Sequence, residues 1–294
     1  MKRIYFTHAN EASLFRRVRN ATTRSVSGAA MKCFPQSTVK IAERLLCVTS
    51  PPRRKLLDLQ FSVQELDVYD QRIKLFAAGS HKASVLFVHG WSGSSADFNA
   101  FYQPVLDAGF NIITIDHVAH GASSGKLANM FLFVRAIEEV MARDELNIKA
   151  VVAHSMGGAA VISAMKSEHK AMPVTLISPV IPFFESLYQS VDNFGISTSW
   201  VDELLAMCER RYARSIDEID PKVTMQRFSN PVLTIQDKQD RHVPLETNKQ
   251  LFTPHLAASL HETDGLGHFK ILGAEEVVNR AIGFVVDTTR QPAR

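Results

Sequence analysis

The feature that most restricts what this chain can fold into is a series of short apolar runs, each followed by a longer stretch of helical spacing. Ser84–His89 (SVLFVH), Asn111–Asp116 (NIITID), Lys149–Ala153 (KAVVA), Pro173–Ser178 (PVTLIS) and Pro231–Gln236 (PVLTIQ) are such runs. Short runs rich in β-branched residues suit strands buried on both faces. Helical stretches lie near 98–108, 127–145, 156–168 and 244–253, with a last strand at Ala258–Glu262 and a last helix at 269–287. Leu57–Leu66 and Ile73–Ala77 read as a β-pair ahead of them. The alternation predicts an α/β fold: a mostly parallel sheet with helices on both faces, joined by right-handed crossovers.

One interval breaks the alternation. About 50 residues separate the run at 173–178 from the run at 231–236, and they include Phe183, Phe184, Tyr188, Phe194 and Trp200. A structureless loop of that length is rare in a compact domain. A small helical insertion is therefore expected at about 182–229. It follows the C-terminal end of a strand, the edge where open α/β sheets bind ligands, so a cap over a pocket is favoured over extra packing.

Charge divides the chain near residue 55. Residues 1–56 carry 12 Lys+Arg against 2 Asp+Glu, and the remaining 238 residues carry 21 against 28. The first segment therefore makes the net charge of +3. Residues 1–36 lack sustained periodicity and are rich in Arg, Ser, Thr and Ala, with Glu11 their only acid. Organellar transit peptides share this composition. The simpler expectation is a basic helical extension that packs on the body or on an anionic surface. Residues 38–48 read as an amphipathic helix with Ile41, Leu45 and Leu46 on one face, ended by Thr49-Ser50-Pro51-Pro52. The expected organisation is a basic arm and amphipathic helix over 1–55 and one α/β domain over 56–294.

The same arithmetic bounds partners and location. The arm lacks the interleaved aromatics of a nucleic-acid surface and the body is mildly acidic, so nucleic acid is not an expected partner. Peripheral contact with anionic lipid through the arm stays open. No run of 18 or more uncharged apolar residues predicts a membrane span. The N-terminal stretch has no apolar core of the secretory type. Cys33, Cys47 and Cys208 are odd in number and widely spread, which indicates neither a disulfide framework nor a zinc knuckle. A reducing, cytoplasmic setting is expected. The sequence leaves the oligomeric state open.

The strongest chemical signal is Ala153-His154-Ser155-Met156-Gly157-Gly158, between an apolar run and a helical stretch. A serine on a sharp strand-to-helix turn presents its hydroxyl at the top of a sheet, and small residues must flank it two before and two after. A helix N-cap serine is the plainer reading, but the strand before and the helix after favour a nucleophile. A serine hydroxyl needs a base, and the base an orienting partner. Asp240, beyond the PVLTIQ run, and His268, beyond the last strand, follow Ser155 in the expected chain order. Asp237 is the rival acid, nearer the strand end. Asp240 is preferred because Asp-x-x-Val-Pro leaves a free loop before the next helix. His154 and His242 are rival bases, but each follows a candidate residue too closely to face it and is expected to pack in its loop.

An acyl-transfer site also needs donors for the oxyanion, worth about 3 kcal/mol each. His89-Gly90-Trp91-Ser92-Gly93-Ser94 follows the SVLFVH run, and Gly90 would let the Trp91 N–H turn toward a substrate. The Met156 N–H, at the positive end of a helix, is the second candidate. Asp116–Lys126 (DHVAHGASSGK) fails as a phosphate loop, with three residues rather than four between its glycines, and lacks helical metal-ligand spacing. It is expected to be a tight loop beside the pocket, with Asp116 and His120 bonded to backbone.

Taken together, HGWSGSS, DHVAHGASSG, AHSMGG, the Asp240 loop ending in Val-Pro and the late GHF resemble the α/β-hydrolase superfamily of serine hydrolases over about residues 56–290. The likeness is to esterase-like members whose loop after the fourth strand reads D-x-x-x-H-G-x-S. It implies Ser155 as nucleophile, His268 as base and then acid, Asp240 as orienting carboxylate, and Trp91 and Met156 as backbone donors. It implies no cofactor and no metal. Ala153 stands where glycine is usual and Val118 where proline is frequent. Serine at the turn, rather than Asp or Cys, argues against a dehalogenase, an epoxide hydrolase or a dienelactone hydrolase. The implied activity is cleavage of a carboxylic ester through an acyl-enzyme, on a small molecule with an apolar moiety. Thioester cleavage or acyl transfer by the same residues is one alternative, and a non-catalytic ligand-binding fold is another.

Overall fold

Eight strands form one sheet in the computed structural model of the chain, which describes residues 14–51, 55–57 and 59–290, with side chains from residue 19 onward. They are β1 Ser62–Val68, β2 Gln71–Ala78, β3 Ala83–Val88, β4 Phe110–Asp116, β5 Ile148–His154, β6 Val174–Ile177, β7 Val232–Asp237 and β8 Leu260–Thr263. Their spatial order is β1-β2-β4-β3-β5-β6-β7-β8. β1 and β2 form an antiparallel hairpin, β2 runs antiparallel to β4, and every later pairing is parallel. This is the α/β fold that the alternating runs predict.

Twelve α-helices accompany the sheet among the described residues. The first two, α1 Leu14–Cys33 and α2 Pro35–Leu46, precede it. Next come α3 Asn99–Asp107, α4 Met130–Met141 and α5 Met156–Ala164. Between β6 and β7 lie α6 Phe183–Asn193, α7 Ser199–Tyr212 and α8 Pro221–Thr224. The chain ends with α9 Leu245–Leu251, α10 Pro254–Ala258, α11 Gly267–Lys270 and α12 Glu275–Arg290. Successive side chains of a strand point to opposite faces. Val85 and Phe87 of β3 therefore join a core with Phe98, Phe101 and Tyr102, closed by residues of α12. Leu86 and Val88 join the other core with Phe131, Phe133 and Val161. The central strands are buried on both sides, which is why they read as continuous apolar runs.

Several boundaries differ from expectation. The run at 57–66 becomes strand only from Ser62; Leu56, Leu59 and Phe61 instead pack against the Phe87 core from outside the ladder. The last strand begins at Leu260, and the stretch at 269–287 is a short α11 followed by α12. Residues 14–33 form a helix although they show no apolar period. Polar contacts hold it: the Trp200 indole N–H donates to the Ser27 carbonyl at 3.0 Å, the Ser197 N–H donates to Ser27 Oγ at 2.9 Å, and Arg24 pairs with Asp192 at 2.5 Å. Expectations for residues 1–13, Glu11 included, lie outside the described residues.

The face assigned to the second helix is also corrected. Ile41 and Leu45 are 49% and 41% exposed, whereas Thr38 and Ala42 are buried. The Thr38 hydroxyl bonds to the Ala30 carbonyl at 3.1 Å, tying α2 to α1. Ala42 is fully buried, and α2 packs against both α1 and α7. After α2, the Ala128 N–H donates to the Cys47 carbonyl at 2.8 Å, and Thr49 Oγ donates to the Ala119 carbonyl at 2.6 Å. These bonds stitch the segment to the loops at the C-terminal edge of the sheet. Among the described residues, no helix is long and apolar enough to cross a membrane. Replacing Ala42 with Leu should wedge α2 from its neighbours and lower stability by about 1–3 kcal/mol in thermal or denaturant unfolding; an unchanged melting curve would contradict this packing.

Candidate active site

Parallel registry decides what meets at the C-terminal edge of the sheet. Val88 of β3 pairs with Ala153 of β5, so Gly90 and Ser155 emerge side by side. A Cβ on Gly90 would lie 2.7 Å from the Ser155 Cβ, so no larger residue fits there. Asp237 of β7 pairs with Thr263 of β8, which brings the loops carrying Asp240 and His268 together.

Ser155 occupies a left-handed conformation, φ 56° and ψ −125°, between β5 and α5. A non-glycine residue rarely adopts such dihedrals unless its surroundings impose them. Here the Ser155 N–H donates to the Ile177 carbonyl at 2.9 Å, and the Val180 N–H donates to the Ser155 carbonyl at 3.3 Å. Gly157 packs against the β3 backbone. A Cβ there would collide with the His89 carbonyl and stand 2.6 Å from that of Val88. Ala153 is fully buried, so its methyl is accommodated within the core below the turn.

Three residues far apart in sequence meet above this turn. His268 Nε2 lies 2.9 Å from Ser155 Oγ, and His268 Nδ1 lies 2.7 Å from Asp240 Oδ2. A carboxylate only accepts, so Nδ1 carries the proton and Nε2 presents a lone pair to the serine hydroxyl. The other Asp240 oxygen accepts the His242 N–H at 2.8 Å and the Val243 N–H at 2.9 Å. Burial pushes the Asp240 carboxyl pKa up, but His268 and the two backbone donors outweigh it and hold the group below the usual carboxylate range. All three residues are buried, Ser155 at 7% exposure.

Asp237 and the rival histidines lie around this group. The two Asp237 oxygens accept the Gly267 N–H at 2.9 Å, the Leu266 N–H at 3.0 Å, the Gln239 N–H at 2.9 Å and the Thr263 hydroxyl at 2.9 Å. Burial raises its pKa, and these donors more than reverse the effect. Asp237 thus anchors the backbone just before His268, a role that nothing in the sequence marks. His154 Nε2 lies 2.9 Å from the His268 carbonyl and, as the donor of that pair, buttresses the same loop. The His242 ring lies against that of His268, centroids 5.0 Å apart and planes within 25°.

The Trp91 turn is held from below. His89 Nδ1 donates to the Gly90 carbonyl at 2.7 Å, and the Gly93 N–H donates to the same oxygen at 3.1 Å. Because a trans peptide sets C=O and N–H on opposite sides, this fixes the Trp91 N–H in the opposite direction. Among the described residues, the N–H groups of Trp91 and Met156 have no acceptor, whereas the Ser92 N–H donates to His120 Nε2 at 2.9 Å. His89 Nε2 in turn accepts the His117 N–H at 3.0 Å. Asp116 accepts the N–H groups of Ser95 and Ala122, each at 2.7 Å, and His120 Nδ1 bonds to the Val118 carbonyl at 2.8 Å. The 116–126 loop is therefore an architectural support for the Trp91 turn. No group of three or more His, Cys, Asp or Glu among the described residues is arranged to hold a metal ion.

Ser155 opens into a cavity of about 260 Å³. Gly90, Trp91 and Met156 floor it, Met130 and Phe131 of α4 form one wall, and α6 and α7 roof it with Phe183, Leu187 and Leu204. Leu45, Leu46 and Val48 complete its rim. The Cys47 and Cys208 thiols also line it, and burial pushes both pKa values up, so they are protonated and inert at neutral pH. The lining is mostly apolar; besides the residues around Ser155, its polar members are Thr49, Ser50, Ser92, Asp97, Asn129 and Ser190.

Parts of the chain are similar to known proteins. Residues 79–191 match the family model of serine aminopeptidases, S33. That stretch holds the Trp91 and Ser155 turns and ends before Asp240 and His268. The chain is 32% identical over 126 residues to a dihydrolipoyllysine-residue acetyltransferase component of an acetoin cleaving system from Cupriavidus necator, covering 42% of this chain and 33% of that protein. It is 29% identical over 183 residues to human protein ABHD12B, covering 57% of this chain and 48% of that one. The chain thus spans between a third and a half of the length of these curated relatives. A solved esterase from Pyrococcus furiosus superposes with a TM-score of 0.58 at 19% identity, over 82% of this chain and 100% of that one, a likeness of fold. The sheet topology and the structural likeness give the chain the α/β-hydrolase fold.

Four histidines of this site are buried without charge. Burial lowers the pKa of His89 to about 4 and of His120 to about 3, and it holds those of His117 and His154 well below the ordinary value. A depressed folded pKa gives stability that is present above the unfolded value of about 6.5 and is lost as pH falls toward the folded one. His89 and His120 should each cost about 2 kcal/mol of unfolding free energy between pH 7 and pH 5. Denaturant titrations at the two pH values check this; equal stability at both would contradict it.

Proposed function

We propose that the protein is a serine hydrolase that cleaves a carboxylic ester carrying an apolar moiety, through an acyl-enzyme. The observation that carries the reading is the 2.9 Å approach of His268 Nε2 to Ser155 Oγ, with Asp240 behind the ring at 2.7 Å. In the first step Ser155 Oγ attacks the ester carbonyl carbon while Nε2 takes its proton. The carbonyl oxygen becomes an oxyanion, and the two open N–H groups of Trp91 and Met156 are its donors. The bond to the alcohol breaks, and the alcohol leaves with the proton from Nε2. Water, deprotonated by the same nitrogen, then attacks the acyl carbon; the bond to Ser155 Oγ breaks, Oγ takes the proton back from Nε2, and the carboxylic acid is released. Asp240 keeps its charge throughout and stabilises the imidazolium that forms twice.

The apolar walls from α4, α6 and α7 support an uncharged, hydrophobic acyl or alcohol group. A thioester leaving group or an alcohol acceptor would use the same residues, and product analysis with matched oxygen esters and thioesters separates these outcomes. A reducing, cytoplasmic setting belongs to the proposal and is supported by three cysteines that form no disulfide. Ser155→Ala should lower kcat on p-nitrophenyl esters by about 10³-fold or more while the melting temperature stays near that of the parent. Turnover within tenfold of the parent would overturn the assignment.

A further inference from the structure

Five of the ten large hydrophobic residues that stay exposed among the described residues fall between residues 26 and 48: Val26, Phe34, Ile41, Leu45 and Val48. They are not scattered. Ile41 and Leu45, four residues apart, share one face of α2, and Phe34 is the residue immediately before its first turn. Phe34 is 68% exposed and Val48 52%. Exposed Lys40 and Arg44, four residues apart, lie along one border of that stripe, and exposed Lys32 lies beyond its N-terminal end.

The stripe also leads somewhere. Leu45 and Val48 are exposed on the outside and line the cavity that holds Ser155 on the inside. The segment is pinned in that position by the Val48–Leu127 bridge and by the bond from the Ser50 N–H to Ser92 Oγ at 3.0 Å. The apolar stripe therefore ends on residues that also line the cavity.

We propose that this face of α2 docks on an anionic lipid surface, and that the ester cleaved at Ser155 is an acyl ester drawn from that surface. The substrate clause rests on the hydrolase reading above. An apolar helix face bordered by Lys and Arg lies in the interfacial plane of a bilayer, its apolar residues among the acyl chains and its cations at the headgroups. Charge selects lipid over a second copy of the chain. A symmetric contact through this face would set Lys40 and Arg44 of each copy near those of the other, in a segment with 12 basic and 2 acidic residues.

The test uses the full chain, vesicles of phosphatidylcholine alone, and vesicles with about one third phosphatidylglycerol. Flotation should retain the protein on the anionic vesicles, with retention falling as salt is raised. Phe34→Ser/Ile41→Ser and, separately, Lys40→Glu/Arg44→Glu should each reduce retention about fivefold or more. The first variant should lose about tenfold in turnover of a fluorogenic acyl ester embedded in the vesicles. Its turnover of soluble p-nitrophenyl acetate should stay within about twofold, because neither residue lines the cavity. Equal retention of parent and variants, or no retention of the parent, overturns the docking surface. So does a parent dimer that the serine variant dissolves without any vesicle binding. Retention on anionic vesicles by a parent that turns over no soluble ester would leave the docking surface standing and defeat the hydrolase reading.

Discussion

The contact between Gly157 and the carbonyls of Val88 and His89 is the constraint on which the site is built. It brings the start of α5 against the end of β3, and that closeness holds Ser155 in left-handed backbone geometry. The same contact sets the Trp91 turn beside the serine hydroxyl, since Gly90 and Ser155 are neighbours across the β3–β5 ladder. A strained residue survives only where its neighbours over-determine it. Here the neighbours are backbone atoms of the sheet, which side-chain repacking cannot relax.

Two carboxylates after β7 divide the remaining work. Asp240 faces the imidazole with one oxygen and its own loop with the other, so it orients His268. Asp237 spends both oxygens on four donors of the β7–β8 loops and fixes where His268 begins. The neutral histidines form a second tier. His89 orients the Gly90 peptide, His120 takes the Ser92 N–H, and His154 holds the His268 carbonyl. Burial keeps these rings uncharged, and only an uncharged ring can accept at one nitrogen while donating at the other.

The sheet and the Ser155 turn were legible in the residues because both are local signals. A β-branched run, a small-residue turn and a helical stretch need no partner to be read. Asp240 and Asp237 could be separated only by loop length, because both follow the same strand. Which one meets His268 depends on the register of β7 against β8, which sequence does not carry. The second helix is where the spacing places it, but its buried face is not, for a related reason. Ile41 and Leu45 have the spacing of a buried face, yet they stay exposed and the helix buries the small Thr38 and Ala42 instead. The first helix shows no apolar period, and from residue 19 onward polar and backbone contacts hold it, with Met31 and Ser27 as its buried side chains among the described ones.

The proposed chemistry requires that Ser155, alone among the serines, be activated by an imidazole. Incubation with a fluorophosphonate followed by intact mass and peptide mapping tests it most directly. A single adduct should form on the peptide carrying Ser155, quickly in the parent and not at all in His268→Gln. No adduct, or an adduct that maps to another residue, would contradict it.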